Sequence, residues 1–236
     1  VFLFGLAGST GWWPLPEQRR EAMAKRRIGL GFLGLGSALV MLGIRYDSEK
    51  GLAFGAAVAQ AMRDEAYRAS VDLAVEKGAF PALDAERYLQ SGFARRLPDD
   101  IRSAVAERGI RNSHLLSIAP TGTIALAFAD NASNGIEPAF AWSYTRRKRM
   151  PDGSTREYAV EDHAYRLFRE RGGDTMCLPE AFVSALDMTA EQHLQMLVAV
   201  QPFIDSSISK TVNVPADYPF EAFRGLYMQA WKAGLK

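Results

Sequence analysis

Apolar residues recur with helical spacing over the longest periodic stretch of the chain, which runs from Ser48 to Lys77. Residues three or four positions apart lie on one face of a helix. The apolar positions of that face are Phe54, Val58, Met62, Ala66, Ala69 and Leu73. Ser48 is a suitable cap for the first turn, and Gly78 is a suitable stop after the last. The pattern therefore predicts one long amphipathic helix over residues 48–77.

Shorter helical and extended patterns fill the rest of the chain. A hairpin is predicted from residues 140–147 and 155–160, because a Pro-Asp-Gly turn lies between them. Short apolar runs at residues 114–119 and within 204–214 predict buried strands. Helices that alternate with few buried strands favour an α/β layer or barrel with parallel strands. Further helices are predicted over residues 17–27, 37–42 (capped by Ser37), 82–89, 99–107, 121–128, 161–171, 189–201 (capped by Thr189) and 218–232.

Composition narrows the class of protein. The 236 residues are 48% hydrophobic and 23% charged, which is ordinary for a globular protein, and the formal charge is +1. Because the chain has no large excess of positive charge, a nucleic acid polymer is not an expected partner. One cysteine and three scattered histidines give no disulfide framework and no metal site, and the composition fits a reducing cytoplasm. The apolar stretch 28–44 is interrupted by glycines, so no membrane segment is expected.

The most informative segment runs from Ser117 to Ala125. A predicted buried strand ends at Pro120, and a glycine-containing turn with two threonines then opens a helix. The first amides of a helix lack partners within it and attract anions, and Gly122 has no Cβ to keep an anion at a distance. The segment therefore predicts an anion site. The alternative is an ordinary capped helix in which the threonines serve only as caps.

Four other features each admit two interpretations. The Gly-x-Gly-x-x-Gly string at residues 29–34 is that of a dinucleotide-binding turn, but no clear strand precedes it, and close helix packing suits the glycines better. The basic run 146–149 either touches a nucleotide or an allosteric partner, or is a solvated hairpin surface. Cys177 is expected to be a small, semi-buried hydrophobic residue rather than a nucleophile. Polar residues near the last predicted strand either line a barrel mouth or are groups at a strand edge: Asp205, Lys210 and Asn213.

Five segments, in the same order along the chain, resemble ribonucleotide reductase large chains. Asn112 to Ile124 resembles the diphosphate-binding segment of that family, and residues 130–138 resemble the loop that follows it. Residues 24–36, 200–213 and 230–236 resemble three further stretches. The Thr-Gly-Thr turn and the Ser-Ile-Ser-Lys-Thr string are similar to the adenosylcobalamin-dependent class.

The resemblance implies a fold and a set of binding residues. The expected fold is the C-terminal part of a ten-stranded α/β barrel over residues 17–236, incomplete in this chain, with an irregular or truncated edge over residues 1–16. By the resemblance, the substrate diphosphate is bound by Pro120, Thr121, Gly122, Thr123 and Ile124. Ala119, Asn134, Gly135 and Lys210 are further candidates for lining the site.

The resemblance also implies an activity, the radical reduction of ribonucleotides to 2′-deoxyribonucleotides for DNA synthesis. The complete enzyme would bind adenosylcobalamin, take electrons from a thioredoxin-type reductant and form a homodimer. The family's Asn-Pro-Cys-Gly-Glu catalytic loop does not occur in the sequence, so we expect a fragment without catalytic residues of its own. One alternative is a non-catalytic nucleotide-binding module that keeps the diphosphate site, and a more remote one is an NAD-linked dehydrogenase built on residues 29–34.

Overall fold

The computed structural model describes residues 13–236, and the prediction for the edge over residues 1–16 falls mostly outside them. The described residues form two compact units. The first combines residues 13–31, 57–118 and 201–208, and the second combines residues 32–56, 119–200 and 209–236. Long-range packing rather than chain order therefore defines each unit.

The secondary structure is mostly helical. An antiparallel hairpin joins β1 (Ser143–Arg149) to β2 (Thr155–Glu161), as predicted. No helix among residues 13–236 is long and apolar enough to cross a membrane. The helices are, in chain order, α1 (Pro16–Lys25), α2 (Leu35–Met41), α3 (Glu49–Lys77), α4 (Ala85–Leu89), α5 (Asp99–Arg108), α6 (Gly122–Phe128), α7 (His163–Glu170), α8 (Ala190–Val200) and α9 (Phe220–Lys232).

Two predicted caps are confirmed. The Ser48 Oγ accepts a hydrogen bond from the Gly51 N–H at 3.1 Å, at the start of α3. Thr189 and Gln192 exchange hydrogen bonds at the start of α8, each side chain accepting from the other's backbone N–H. These contacts satisfy donors that a helix start leaves without partners, so the local sequence sets both boundaries.

The predicted cap at Ser37 is wrong. Helix α2 begins after Gly34, whose φ of 83° is left-handed, and Ser37 lies inside the helix. The buried Ser37 hydroxyl donates to Asp162 Oδ2 at 2.8 Å and accepts from the Ser133 N–H at 2.8 Å. Ser37 therefore holds distant loops of the second unit together.

The two predicted buried strands are present only as short parallel pairings in the first unit. Leu30 forms a parallel bridge with Leu116, and Ile118 forms one with Ile208. The Leu30 N–H donates to the Leu115 carbonyl at 2.7 Å. Within residues 13–236 the only regular sheet is the two-stranded hairpin. The mixed α/β class is therefore confirmed, and these pairings are too short to form a continuous barrel sheet.

Asp205 fixes the central extended segment of the first unit from within. Its two carboxylate oxygens accept hydrogen bonds from the backbone N–H groups of Leu115 at 2.7 Å and Leu116 at 3.0 Å. The Tyr67 hydroxyl donates to the same carboxylate at 2.8 Å, and burial raises the pKa of Tyr67. Of the two interpretations of Asp205, the geometry favours a group that binds strand-edge amides.

The glycine string packs against an extended segment rather than a helix, contrary to expectation. A Cβ built on Gly31 would collide with the carbonyl oxygen of Ser117 in the first unit. Any side chain at residue 31 would therefore push apart the backbones that pair at Leu30 and Leu116.

Candidate functional site

The turn before α6 has an unusual backbone at Thr121. Thr121 adopts a left-handed conformation with φ of 58°, which is uncommon for a β-branched residue. Its carbonyl accepts the first intrahelical hydrogen bond, from the Ala125 N–H at 2.7 Å. Its Oγ1 does not cap the helix and instead accepts from the Gly135 N–H at 2.9 Å. The turn is therefore tied to the loop that follows α6.

The first amides of α6 are open to a ligand. The N–H groups of Gly122, Thr123 and Ile124 precede the first intrahelical donor, and no acceptor among residues 13–236 bonds to them. A Cβ built on Gly122 would find only the Asn134 Nδ2, at 3.9 Å. The turn thus presents backbone donors to open space.

The start of α2 shows the opposite arrangement. Its Gly34 N–H donates to the Ser133 carbonyl at 2.8 Å, and its Ser37 N–H donates to the Ser133 Oγ at 3.1 Å. A Cβ on Gly36 would meet the Glu137 carbonyl oxygen at 2.6 Å. Because this helix start is already filled by protein, the structure gives no room for a dinucleotide phosphate at the glycine string.

A cavity of about 460 Å³ lies in the second unit at the start of α6. Of the residues predicted to bind or line the site, Gly122, Thr123 and Asn134 line this cavity. Thr121 and Gly135 lie beneath them, joined by the hydrogen bond described above. Ala119 and Pro120 are exposed and do not line the cavity, Ile124 is half exposed, and the buried Lys210 contacts Glu137 of the cavity wall. Asn213 also lines the cavity.

Three charged side chains line the cavity: Glu137, Arg146 and Asp162. Asp162 is buried, accepts from the Ser37 hydroxyl and caps α7 through the Ala164 N–H at 2.8 Å, and burial raises its pKa. Among the described residues no carboxylate pairs with Arg146, whereas the adjacent Arg147 pairs with Glu157 at 2.8 Å. Arg146 is therefore a cation with its charge available to the cavity.

Glu137 belongs to a buried cluster with Lys210 and His193. The Lys210 Nζ lies 2.8 Å from Glu137 Oε2 and 2.9 Å from His193 Nδ1. His193 Nε2 lies 3.0 Å from the Ala185 carbonyl, so we assign the ring proton to Nε2. Burial, and then the Lys210 charge, lower the pKa of His193 to about 4. Burial also lowers the pKa of Lys210, and the Glu137 charge opposes this shift.

Sequence reasoning missed Glu137, Asp162 and His193 as parts of the site. Glu137 lies in the loop that resembles the reductase family, so its segment was identified but not its role. His193 and Asp162 carried no signal, because each acts through residues remote in sequence. Cys177 is exposed, not semi-buried as expected. Among residues 13–236 no cluster of side chains suits a metal ion.

Comparison with known proteins identifies the family to which the chain is similar. A family model described as "Ribonucleotide reductase, barrel domain" matches residues 8–236. A vitamin B12-dependent ribonucleoside-diphosphate reductase of Mycobacterium tuberculosis (strain CDC 1551 / Oshkosh) is 35% identical over 95% of this chain and 32% of its own length. The vitamin B12-dependent ribonucleotide reductase of Streptomyces coelicolor is 28% identical over 95% of this chain and 28% of its own.

A relative from Thermoplasma acidophilum, named vitamin B12-dependent ribonucleoside-diphosphate reductase, is 29% identical over 92% of this chain and 28% of its own length. The chain thus spans about a third or less of the length of these curated relatives. The family match covers all of the described residues and includes the turn before α6 and the loop after it. The chain belongs to the ribonucleotide reductase barrel-domain family.

Proposed function

We propose that this chain supplies the substrate diphosphate-binding part of an adenosylcobalamin-dependent ribonucleotide reductase. The whole protein would reduce ribonucleotides to 2′-deoxyribonucleotides for DNA synthesis. Family membership and the names of the relatives support the reaction. The observation that carries the role of this chain is the row of open amides from Gly122 to Ile124 beside a cavity.

The turn offers a diphosphate several kinds of donor. Backbone N–H groups of Gly122, Thr123 and Ile124 point out of the start of α6, where the helix dipole also favours negative charge. Thr123 and Arg146 also line the cavity, and they offer a hydroxyl donor and a positive charge to an anion there. Pro120 and the left-handed Thr121 fix the direction in which the turn leaves Ala119. Asn134 and Gly135 complete the loop that holds the turn.

The parallel pairings of the first unit support the proposal that the chain is part of an α/β barrel. Three extended segments lie side by side in parallel, in the order 28–30, 114–118 and 206–208. Parallel neighbours far apart in sequence are typical of sheets built with helical crossovers. We propose that these segments are strands of a ten-stranded α/β barrel of which residues 17–236 form the C-terminal part.

In this mechanism the chain binds and orients the substrate. Amide and hydroxyl donors at the start of α6 would hold the diphosphate, which places the ribose at a fixed distance from the turn. In the complete enzyme adenosylcobalamin would supply the radical, and a thioredoxin-type reductant would supply electrons to what we propose is a homodimer. Among the described residues no group of His, Cys, Asp or Glu side chains could hold a metal ion, and we assign none of them to the cofactor.

The test is a substitution that fills the open space at residue 122. In the reductase that contains this chain, Gly122→Val should raise the KM for the ribonucleotide about tenfold or more, because the new side chain would stand where phosphate oxygens approach. Gly225→Val is the matched control, since Gly225 also lies in a helix and a Cβ there meets nothing within 4 Å. We call the open amides of Gly122, Thr123 and Ile124, with the cavity beside them, the cradle. Equal KM values for the wild type and Gly122→Val would refute the cradle.

A further inference from the structure

A carboxylate stands in the wall of the cavity that we propose for a diphosphate. Glu137 lines this cavity with its side chain 16% exposed. An unpaired negative charge in that position would repel phosphate oxygens, because charges interact strongly where little water screens them. The position of Glu137 therefore requires a compensating group.

Lys210 compensates Glu137. Its side chain is only 1% exposed, and its Nζ donates to Glu137 Oε2 at 2.8 Å. The other carboxylate oxygen, Oε1, accepts from the Thr211 N–H at 2.6 Å. Both oxygens of Glu137 are thus occupied by donors, and the pair carries no net charge.

The ammonium group of Lys210 is itself held in one place. It has three donors, and these reach Glu137, His193 Nδ1 at 2.9 Å and the Thr211 carbonyl at 2.6 Å. His193 in turn donates to the Ala185 carbonyl, and the Ala185 N–H donates to the Ala139 carbonyl at 2.8 Å. Glu137, Ala139, Ala185 and Thr211 all line the cavity. The cluster therefore connects three separate stretches of the cavity wall.

We infer that Lys210 is a positioning residue that acts on diphosphate binding through Glu137, whose charge it neutralises, without touching the ligand. This inference rests on the proposed function, which supplies the anionic ligand. It explains why a buried lysine, costly to desolvate, lies next to the cavity and not in it. It also separates the role of Lys210 from that of Arg146, which lines the cavity itself.

Titration of the 236-residue chain with inorganic pyrophosphate, followed by 31P NMR, tests this inference. Lys210→Met leaves Glu137 uncompensated and should weaken pyrophosphate binding about tenfold or more. The double variant Lys210→Met/Glu137→Gln removes both charges and should bind within about threefold of the wild type. Glu137→Gln alone should bind at least as tightly as the wild type. The matched control, Lys232→Met, changes an exposed lysine and should leave binding unchanged.

The outcomes separate the inference from the function on which it rests. A wild type that does not bind pyrophosphate overturns the proposed cradle itself. A wild type that binds, with Lys210→Met binding equally well or the double variant as weak as Lys210→Met, leaves the cradle standing and overturns the role of Lys210. If thermal unfolding shows that Lys210→Met does not fold, Glu137→Gln decides: weaker binding than the wild type contradicts the inference, and equal or tighter binding supports it.

Discussion

The Thr121 Oγ1 and the Gly135 N–H are joined by a hydrogen bond of 2.9 Å that connects the two ends of the candidate cradle. The hydroxyl that sequence reasoning assigned to helix capping or to the ligand thus binds the loop after α6. Because Thr121 already has a left-handed backbone, this bond helps to hold a conformation that costs a β-branched residue free energy. The open amides of the next residues depend on that conformation.

We therefore expect Thr121→Val to impair the cradle while Thr121→Ser preserves it. Valine keeps the branched shape but cannot accept the Gly135 hydrogen bond, so the N–H loses its partner at a cost of about 1–3 kcal/mol. The KM of the containing reductase for its ribonucleotide should rise several-fold in Thr121→Val, with a fall in melting temperature. Serine retains the acceptor and should stay near the wild type. A Thr121→Val enzyme with unchanged KM and melting temperature would show that the bond does not matter.

Arg146 should contribute directly to anion affinity. It lines the cavity and has no carboxylate partner among the described residues, so Arg146→Gln removes an available charge. We expect the dissociation constant for pyrophosphate to rise about three- to thirtyfold, with a weaker dependence on salt. The measurement is a calorimetric titration at two ionic strengths.

Arg147→Gln is the control for this prediction, because Arg147 is the next residue of the same strand but pairs with Glu157. It should bind pyrophosphate as the wild type does. Equal losses in both variants would mean that the hairpin acts through its total charge and not through one arginine.

Asp205 should be essential to the stability of the first unit. The Asp205 carboxylate accepts hydrogen bonds from two backbone amides and from the Tyr67 hydroxyl. Asp205→Asn replaces one of its two acceptor oxygens by an NH2 group, which cannot accept them. We expect the free energy of unfolding to fall by about 2–4 kcal/mol, because buried N–H groups lose a charged acceptor. Urea unfolding measures this change. Asp217→Asn, at an exposed position, should alter it by less than about 0.5 kcal/mol.

His193 should make the protein less stable in mild acid. Its folded-state pKa of about 4 lies below the ordinary value of 6.5, so only the unfolded chain takes up the proton between these values. Stability from this residue is complete above pH 6.5 and is lost progressively as the pH falls towards 4, by about 1–3 kcal/mol. Urea unfolding of the wild type and of His193→Gln from pH 4 to pH 8 measures the difference. Parallel pH profiles for the two proteins would contradict the assignment.

Local sequence patterns were sufficient for elements that depend on their own residues. Helix α3 follows from its apolar period and its Ser48 cap, and the hairpin follows from its Pro-Asp-Gly turn. The open turn at Gly122 was predicted because strand, proline, glycine and helix follow one another directly. For these features, chain neighbours supply most of the determining contacts.

Contacts between residues far apart in the sequence could not be predicted from local patterns. The sequence around Ser37 predicts a cap, because nothing nearby indicates its partners Ser133 and Asp162, which lie about a hundred positions away. Three segments must meet to form the cluster of Glu137, His193 and Lys210, and the sequence of any one segment does not predict it. The extended segments near Leu116 and Ile208 were placed correctly, but their pairing extends over fewer residues than the apolar runs suggested.

The loop over residues 133–137 serves three structures at once. Ser133 fills the start of α2, Gly135 holds Thr121, and Glu137 receives Lys210. A single inserted residue would shift at least one of these groups by about 3.5 Å, beyond the reach of a hydrogen bond. The turn over residues 150–154 joins two exposed strands, and among the described residues it does not hold other segments in this way. Variation in chain length should therefore accumulate in the hairpin turn and be excluded from the loop.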